Sequence, residues 1–185
     1  MAAWQGQSAK AERHYLEALA LGQDDGYLLA AWADFLLDNN RPAEVAKLLA
    51  PWEASDGLLL RLAEAEVRLQ LPAATAHIQA LDDRFAAAKL RGDTTHRAEE
   101  ARFQLRLRKN PALAAQLASA NYQEQKEPRD ARVLLESALA AKDGDAATAA
   151  RDWLQSSGFE DARLRALAAQ IAQLPIGLKK PGGSP

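Results

Sequence analysis

Apolar positions recur along the chain in short stripes with helical spacing, and a cluster of Gly, Asn, Asp or Pro ends each one. Ala11, Tyr15, Ala18 and Leu19 share one face, and Gly22 with Asp24, Asp25 and Gly26 breaks that stripe. Leu29, Trp32, Ala33, Leu36 and Leu37 repeat the i, i+3, i+4, i+7 pattern of an amphipathic helix. Asn39, Asn40, Arg41 and Pro42 punctuate again, and Val45, Leu48 and Leu49 begin a third stripe. This rhythm predicts helices over about 8–21, 25–38 and 41–52 and a fourth, carrying Leu58, Leu59, Leu62, Ala63, Ala65 and Val67, to about residue 70. A longer helix follows Pro72 and runs to Arg91. Asp93 is the expected N-cap of the sixth. Asn110-Pro111 and Glu127-Pro128 open the seventh and eighth. A ninth is expected over 146–156, closed by Gly158, and a tenth over about 160–174 with Leu164, Leu167, Ile171 and Leu174 as its stripe. Most of these segments are too short to be stable alone in water, so each must bury its stripe against neighbours.

Helix restarts fall at Pro42, Pro72, Pro111 and Gly144, separated by 30, 39 and 33 residues. A period in the mid-thirties made of two helices is the mark of a helical repeat. Ala11, Tyr15, Ala18 and Leu19 resemble the second helix of a tetratricopeptide motif. Ala33, Leu36, Asn40 and Val45 resemble the next repeat, and Gly144, Ala149 and Trp153 a late one. Between them Pro72 and Pro111 stand where the motif has a glycine. The segment 99–138 is also similar to the C-terminal part of longer bacterial repeat proteins of undefined role. The resemblance implies an all-α fold: an α-solenoid of about ten helices in antiparallel pairs, wound as a right-handed superhelix. It further implies a bacterial source and a chain that is a piece of a longer protein, opening on a second helix. The expected layout is a disordered 1–7, a repeat array over 8–158, a capping helix over 159–174 and a disordered Pro/Gly/Ser tail over 175–185.

Composition narrows the chemistry. Hydrophobic residues make up 48% of the chain, which suffices for a core, and their Ala and Leu bias favours helix. With 23 basic and 25 acidic residues the net charge is -2, so no electrostatic footprint for nucleic acid or an anionic membrane stands out. The chain has no cysteine, which removes disulfides, thiolate metal sites and a cysteine nucleophile. No apolar run reaches the roughly 18 residues that span a bilayer. The N-terminal residues lack the pattern of a signal peptide. Compartment stays open between cytoplasm and periplasm.

Few residues suggest reaction chemistry. His14, His77 and His96 are scattered, and His96 with Glu100 at i, i+4 lacks a third metal ligand. There is no Ser-His-Asp grouping and no glycine-rich phosphate loop, so no enzyme, cofactor or metal is expected. The basic stretch from Arg97 to Lys109 is interleaved with Glu99 and Glu100, and Phe103 falls on its apolar stripe, which argues against nucleic acid.

Interaction is the expected role. In tetratricopeptide arrays the first helix of each pair lines a concave face that holds a peptide or a partner's helix. By spacing, the residues facing that way are Tyr27, Ala30, Asp34 and Asp38 on the second helix, Leu60, Glu64 and Arg68 on the fourth, and Glu99, Arg102 and Arg106 on the sixth, where Glu100 competes for the face. The resemblance also suggests one known use of that face, gripping a C-terminal carboxylate, but Asp34 and Asp38 would repel such a group. The second expectation is a scaffold or self-associating element, because the first helix has an apolar side without an upstream neighbour.

Overall fold

The computed structural model describes residues 5–22 and 25–174. Among them are ten α-helices and no strand: α1 (Ser8–Leu19), α2 (Gly26–Asp38), α3 (Pro42–Leu49), α4 (Asp56–Leu69), α5 (Ala73–Leu90), α6 (Arg97–Arg106), α7 (Pro111–Glu124), α8 (Pro128–Ala141), α9 (Thr148–Ser157) and α10 (Ala162–Ala172). The all-α class and the number of helices are those expected. The proposed disorder of 175–185, and of residues 1–4, lies outside the described residues.

Local chemistry starts and stops most helices where the residue types require. Asp25 accepts the Tyr27 N–H at 2.9 Å and caps α2. Asn110 accepts the Leu113 N–H at 3.2 Å ahead of Pro111. Glu127 and Asp130 cap α8 reciprocally, and Asp161 takes the N–H groups of Arg163 and Leu164. At C-termini, Gln70, Lys142 and Gly158 take left-handed conformations that let the chain turn back. Gln70 thus makes a left-handed turn without a glycine.

Two expectations are corrected. Asp93 does not cap α6: its side chain accepts both the N–H and the hydroxyl of Thr95, making a separate turn, and the helix starts only at Arg97. Trp52 lies in a 3-10 turn, Ala50–Trp52, beyond α3. Trp52 and Trp153 are half-buried, whereas Trp32 is in the core and stacks on Phe35 with ring centroids 5.3 Å apart.

Packing follows a two-part rule. Neighbours pack as α2–α3, α3–α4, α4–α5, α6–α7 and α7–α8, and every second helix packs on the next but one, as α2–α4–α6–α8–α10. The rule lapses at α5 and α6, whose backbones hardly touch. The last turn of α5 still buries Ala88 but leaves Leu90 90% exposed, and Gly92 at φ +70° with the Asp93 turn carries the chain away. Side chains close the step instead: Phe85 meets Phe103 at 5.3 Å, and Arg108 pairs with Asp82.

The interior forms two apolar clusters. One gathers Leu36, Leu49, Leu59 and Leu62 with Leu81 and Phe103; the other gathers Tyr122, Leu134, Leu135, Leu164 and Ile171 with Ala101. They meet on α6, where Phe103 belongs to the first and Ala101 to the second.

A non-glycine residue in the left-handed region is strained, so the exposed cap residue Lys142, at φ 57°, marks a correctable site. Lys142→Gly is expected to raise stability by about 0.5–1 kcal/mol in urea unfolding, the relief of strain exceeding the added chain entropy. A loss of stability would contradict this account of the turn.

Candidate functional site

The five alternating helices place charged side chains on one common face. On α2, α6 and α8 the spacing is one helical turn: Asp34 and Asp38, Arg102 and Arg106, Arg132 and Glu136. On α4, Arg61, Glu64 and Arg68 follow the same stripe. These groups interlock.

Asp34 accepts from Arg61 at 2.7 and 2.9 Å and from Arg102 at 2.6 Å. Arg102 also donates to Glu64 at 2.5 and 3.2 Å. One turn along, Arg132 holds both oxygens of Asp38 at 2.7 and 2.8 Å and donates to Glu136 at 2.9 Å. Arg106 donates to the other Glu136 oxygen at 2.6 Å, and Arg163 of α10 pairs with Asp38. Arg68 donates to the Leu37 carbonyl at 2.7 Å, and the Arg129 guanidinium stands 5.5 Å from the Tyr27 ring centre. The result is a ladder of arginine forks and carboxylates linking all five helices.

Three links reach beyond packed neighbours. Asp34 to Arg102 joins α2 to α6, Asp38 to Arg132 joins α2 to α8, residues 94 apart in sequence, and Asp38 to Arg163 joins α2 to α10. None of these helix pairs packs as the neighbouring pairs do, so long arginine stems span the distance.

The carboxyl groups respond to this setting. Burial alone would raise the Asp34 pKa, but Arg102 and Arg61 outweigh it and hold the group well below the usual carboxylate range. For Asp38 burial is again overcome, by the hydrogen bonds and charges of Arg132 and Arg163. Glu136 is lowered likewise by Arg132 and Arg106 against burial. Asp130 and Glu100 move the other way, raised chiefly by burial.

Of the residues expected on the inner face, Asp34, Asp38, Glu64, Arg102 and Arg106 are brought together in the ladder. Arg68 and Tyr27 lie beside it; Tyr27 is 65% exposed. Ala30 is half-buried and its carbonyl accepts from Arg61. Glu99 is half-buried one turn before Arg102. Leu60 has no exposed surface and belongs to the core.

Arg61, Arg132, Glu136 and Arg163 were not among the expected residues. The i, i+4 charge pair repeated on alternate helices is the signal that reveals Arg132 and Glu136. Nor do Asp34 and Asp38 present bare negative charge, since each is held by two arginines. The repulsion argument against an anionic group on this face therefore does not apply.

Elsewhere, His77 lies between Glu66 at 2.7 Å and Glu53 at 3.5 Å, far in sequence from His14 and His96. Among the described residues no group of three or more His, Asp and Glu is placed to hold a metal ion. No described helix is long and apolar enough to cross a membrane. No family model, curated protein or solved structure matches the chain.

An acid whose pKa is lower in the fold than in the open chain contributes stability that is complete above the open-chain value and lost as pH falls through the folded one. The ordinary values are 3.8 for Asp and 4.5 for Glu. Protonation of Asp34, Asp38 and Glu136 is therefore expected to remove on the order of a few kcal/mol below about pH 4. Between pH 7 and 5 the curve should be flat or rise slightly on acidification, because Asp130 and Glu100 gain from protonation. Urea midpoints measured across this range check it; midpoints unchanged down to pH 2 would contradict it.

Proposed function

We propose that the chain is a non-enzymatic interaction module: a tetratricopeptide-like superhelix whose inner face holds an extended segment or a helix of a protein partner. The observation that carries this reading is the convergence of five helices on one polar face with a large exposed aromatic at its edge. Tyr27 is 65% exposed and Arg68, Arg106 and Arg163 are solvent-accessible, a combination of aromatic and arginine groups typical of contact surfaces.

A second reading, a scaffold or self-associating element, is favoured by a different observation. α1 packs chiefly on α2 and leaves Leu16 52% and Leu21 77% exposed. Two large apolar side chains at one edge of a helix stack invite another surface.

The two readings separate by experiment. A partner captured with the wild-type chain is expected to lose at least about tenfold in affinity from Tyr27→Ala combined with Arg68→Glu, the effect of removing one hot-spot contact. It should lose nothing from Leu16→Glu. A partner that binds the inner-face variant unchanged would overturn the first reading. Sedimentation showing a monomer at every concentration would overturn the second.

A further inference from the structure

Asp38 stands apart from the other carboxylates of the ladder. It is the last residue of α2, at the negative end of the helix dipole, where an acid is disfavoured and no basic residue in the final turn offsets it. Its two arginines come from helices that α2 does not pack on, Arg132 of α8 and Arg163 of α10. Arg163 is 42% exposed, so the contact lies where solvent and a ligand can reach. Backbone packing therefore does little to close α2 onto α8; the side chains do it, assisted by Arg129 over Tyr27.

Charge decides what could take the place of Asp38. Without it, Arg132 and Arg106 are left on Glu136 alone, Arg163 loses the carboxylate it pairs with, and Arg102 adds like charge against Arg132. Arginines brought together and partly desolvated are costly unless a carboxylate meets them. The Arg132 fork is already set for two parallel bonds to one carboxylate, with Arg163 converging on the same group. A neutral or basic occupant would leave that surplus unmatched.

We propose that Asp38 is an internal stand-in for an acidic side chain of the partner: it clasps Arg132 and Arg163 across the inner face, and an acidic segment enters by replacing it. The proposal rests on the inner-face reading above and adds the partner's chemistry and the contact that must open. The ladder is closed while the partner is absent, and the affinity seen in solution is lowered by the fraction of time the clasp is shut.

The test has two arms. Because the chain has no cysteine, Ala43→Cys and Ala140→Cys, on exposed positions of α3 and α8, take spin labels at unique sites. In the ligand-free protein, Asp38→Asn is expected to lengthen or broaden the distance between them. Arg163→Gln loosens the same clasp from α10 and should do so too, which keeps the test intact if the first variant does not fold. In the second arm the probe is a fluorescent peptide of glutamate residues blocked at both ends, so that only side-chain carboxylates are offered. Asp38→Asn is expected to bind it at least about tenfold more tightly than wild type, and adding Arg132→Gln and Arg163→Gln should abolish the gain.

Unchanged distances in both clasp variants would overturn the clasp. Binding no tighter than wild type in a folded Asp38→Asn protein, or a gain that survives loss of both arginines, would overturn the acidic occupant. The distance arm needs no partner, so widening supports the clasp even where the inner-face reading has failed on its own test.

Discussion

The arrangement of this chain depends on arginines long enough to meet carboxylates beyond the nearest helix. Short amphipathic helices bury their stripes against immediate neighbours, and that packing is local. It relates α2 to α6 and α8 only through the helices between them, whereas Asp34 with Arg102 and Asp38 with Arg132 join them directly. Such pairs offset desolvation through several hydrogen bonds each, and a member left alone would cost far more than the pair contributes. They tie α2 to α6 and α8 by direct contacts that apolar packing between those helices does not make.

That role matters most at α6. The two apolar clusters meet there, and α5 and α6 barely touch along their backbones. Arg102 and Arg106 leave that helix in two directions, one to Asp34 and Glu64 beside the first cluster, the other to Glu136 beside the second. The charged face and the weak step in the core thus fall on the same ten-residue helix. Any change on this charged face is therefore felt on both sides of the weak step.

Much of the fold was legible in the residues. Apolar stripes and the Pro, Asn and Asp signals gave the ten helices, and Asn110-Pro111 and Glu127-Pro128 act as caps because their chemistry is local. The Asp93 error has an equally local cause: an Asp followed by Thr-Thr can close its own turn instead of starting a helix. Stripe geometry grouped Asp34, Glu64, Arg102 and Arg106, which the structure joins on one charged face, since side chains at helical spacing must share a side. It misassigned Leu60, whose neighbour Arg61 carries the charge on that face. Arg132, Glu136 and Arg163 were missed because their partners are set by how distant helices come together, and no single stripe encodes that.

The most direct test of the ladder is a double-mutant cycle on Asp34 and Arg102, which belong to helices that do not pack on each other. Unfolding free energies of Asp34→Asn, Arg102→Met and the double variant give the coupling between them. A coupling of at least about 1.5 kcal/mol is expected for a linked, partly buried pair. A coupling below about 0.5 kcal/mol, the level of independent sites, would mean that the stack holds its shape without the ladder.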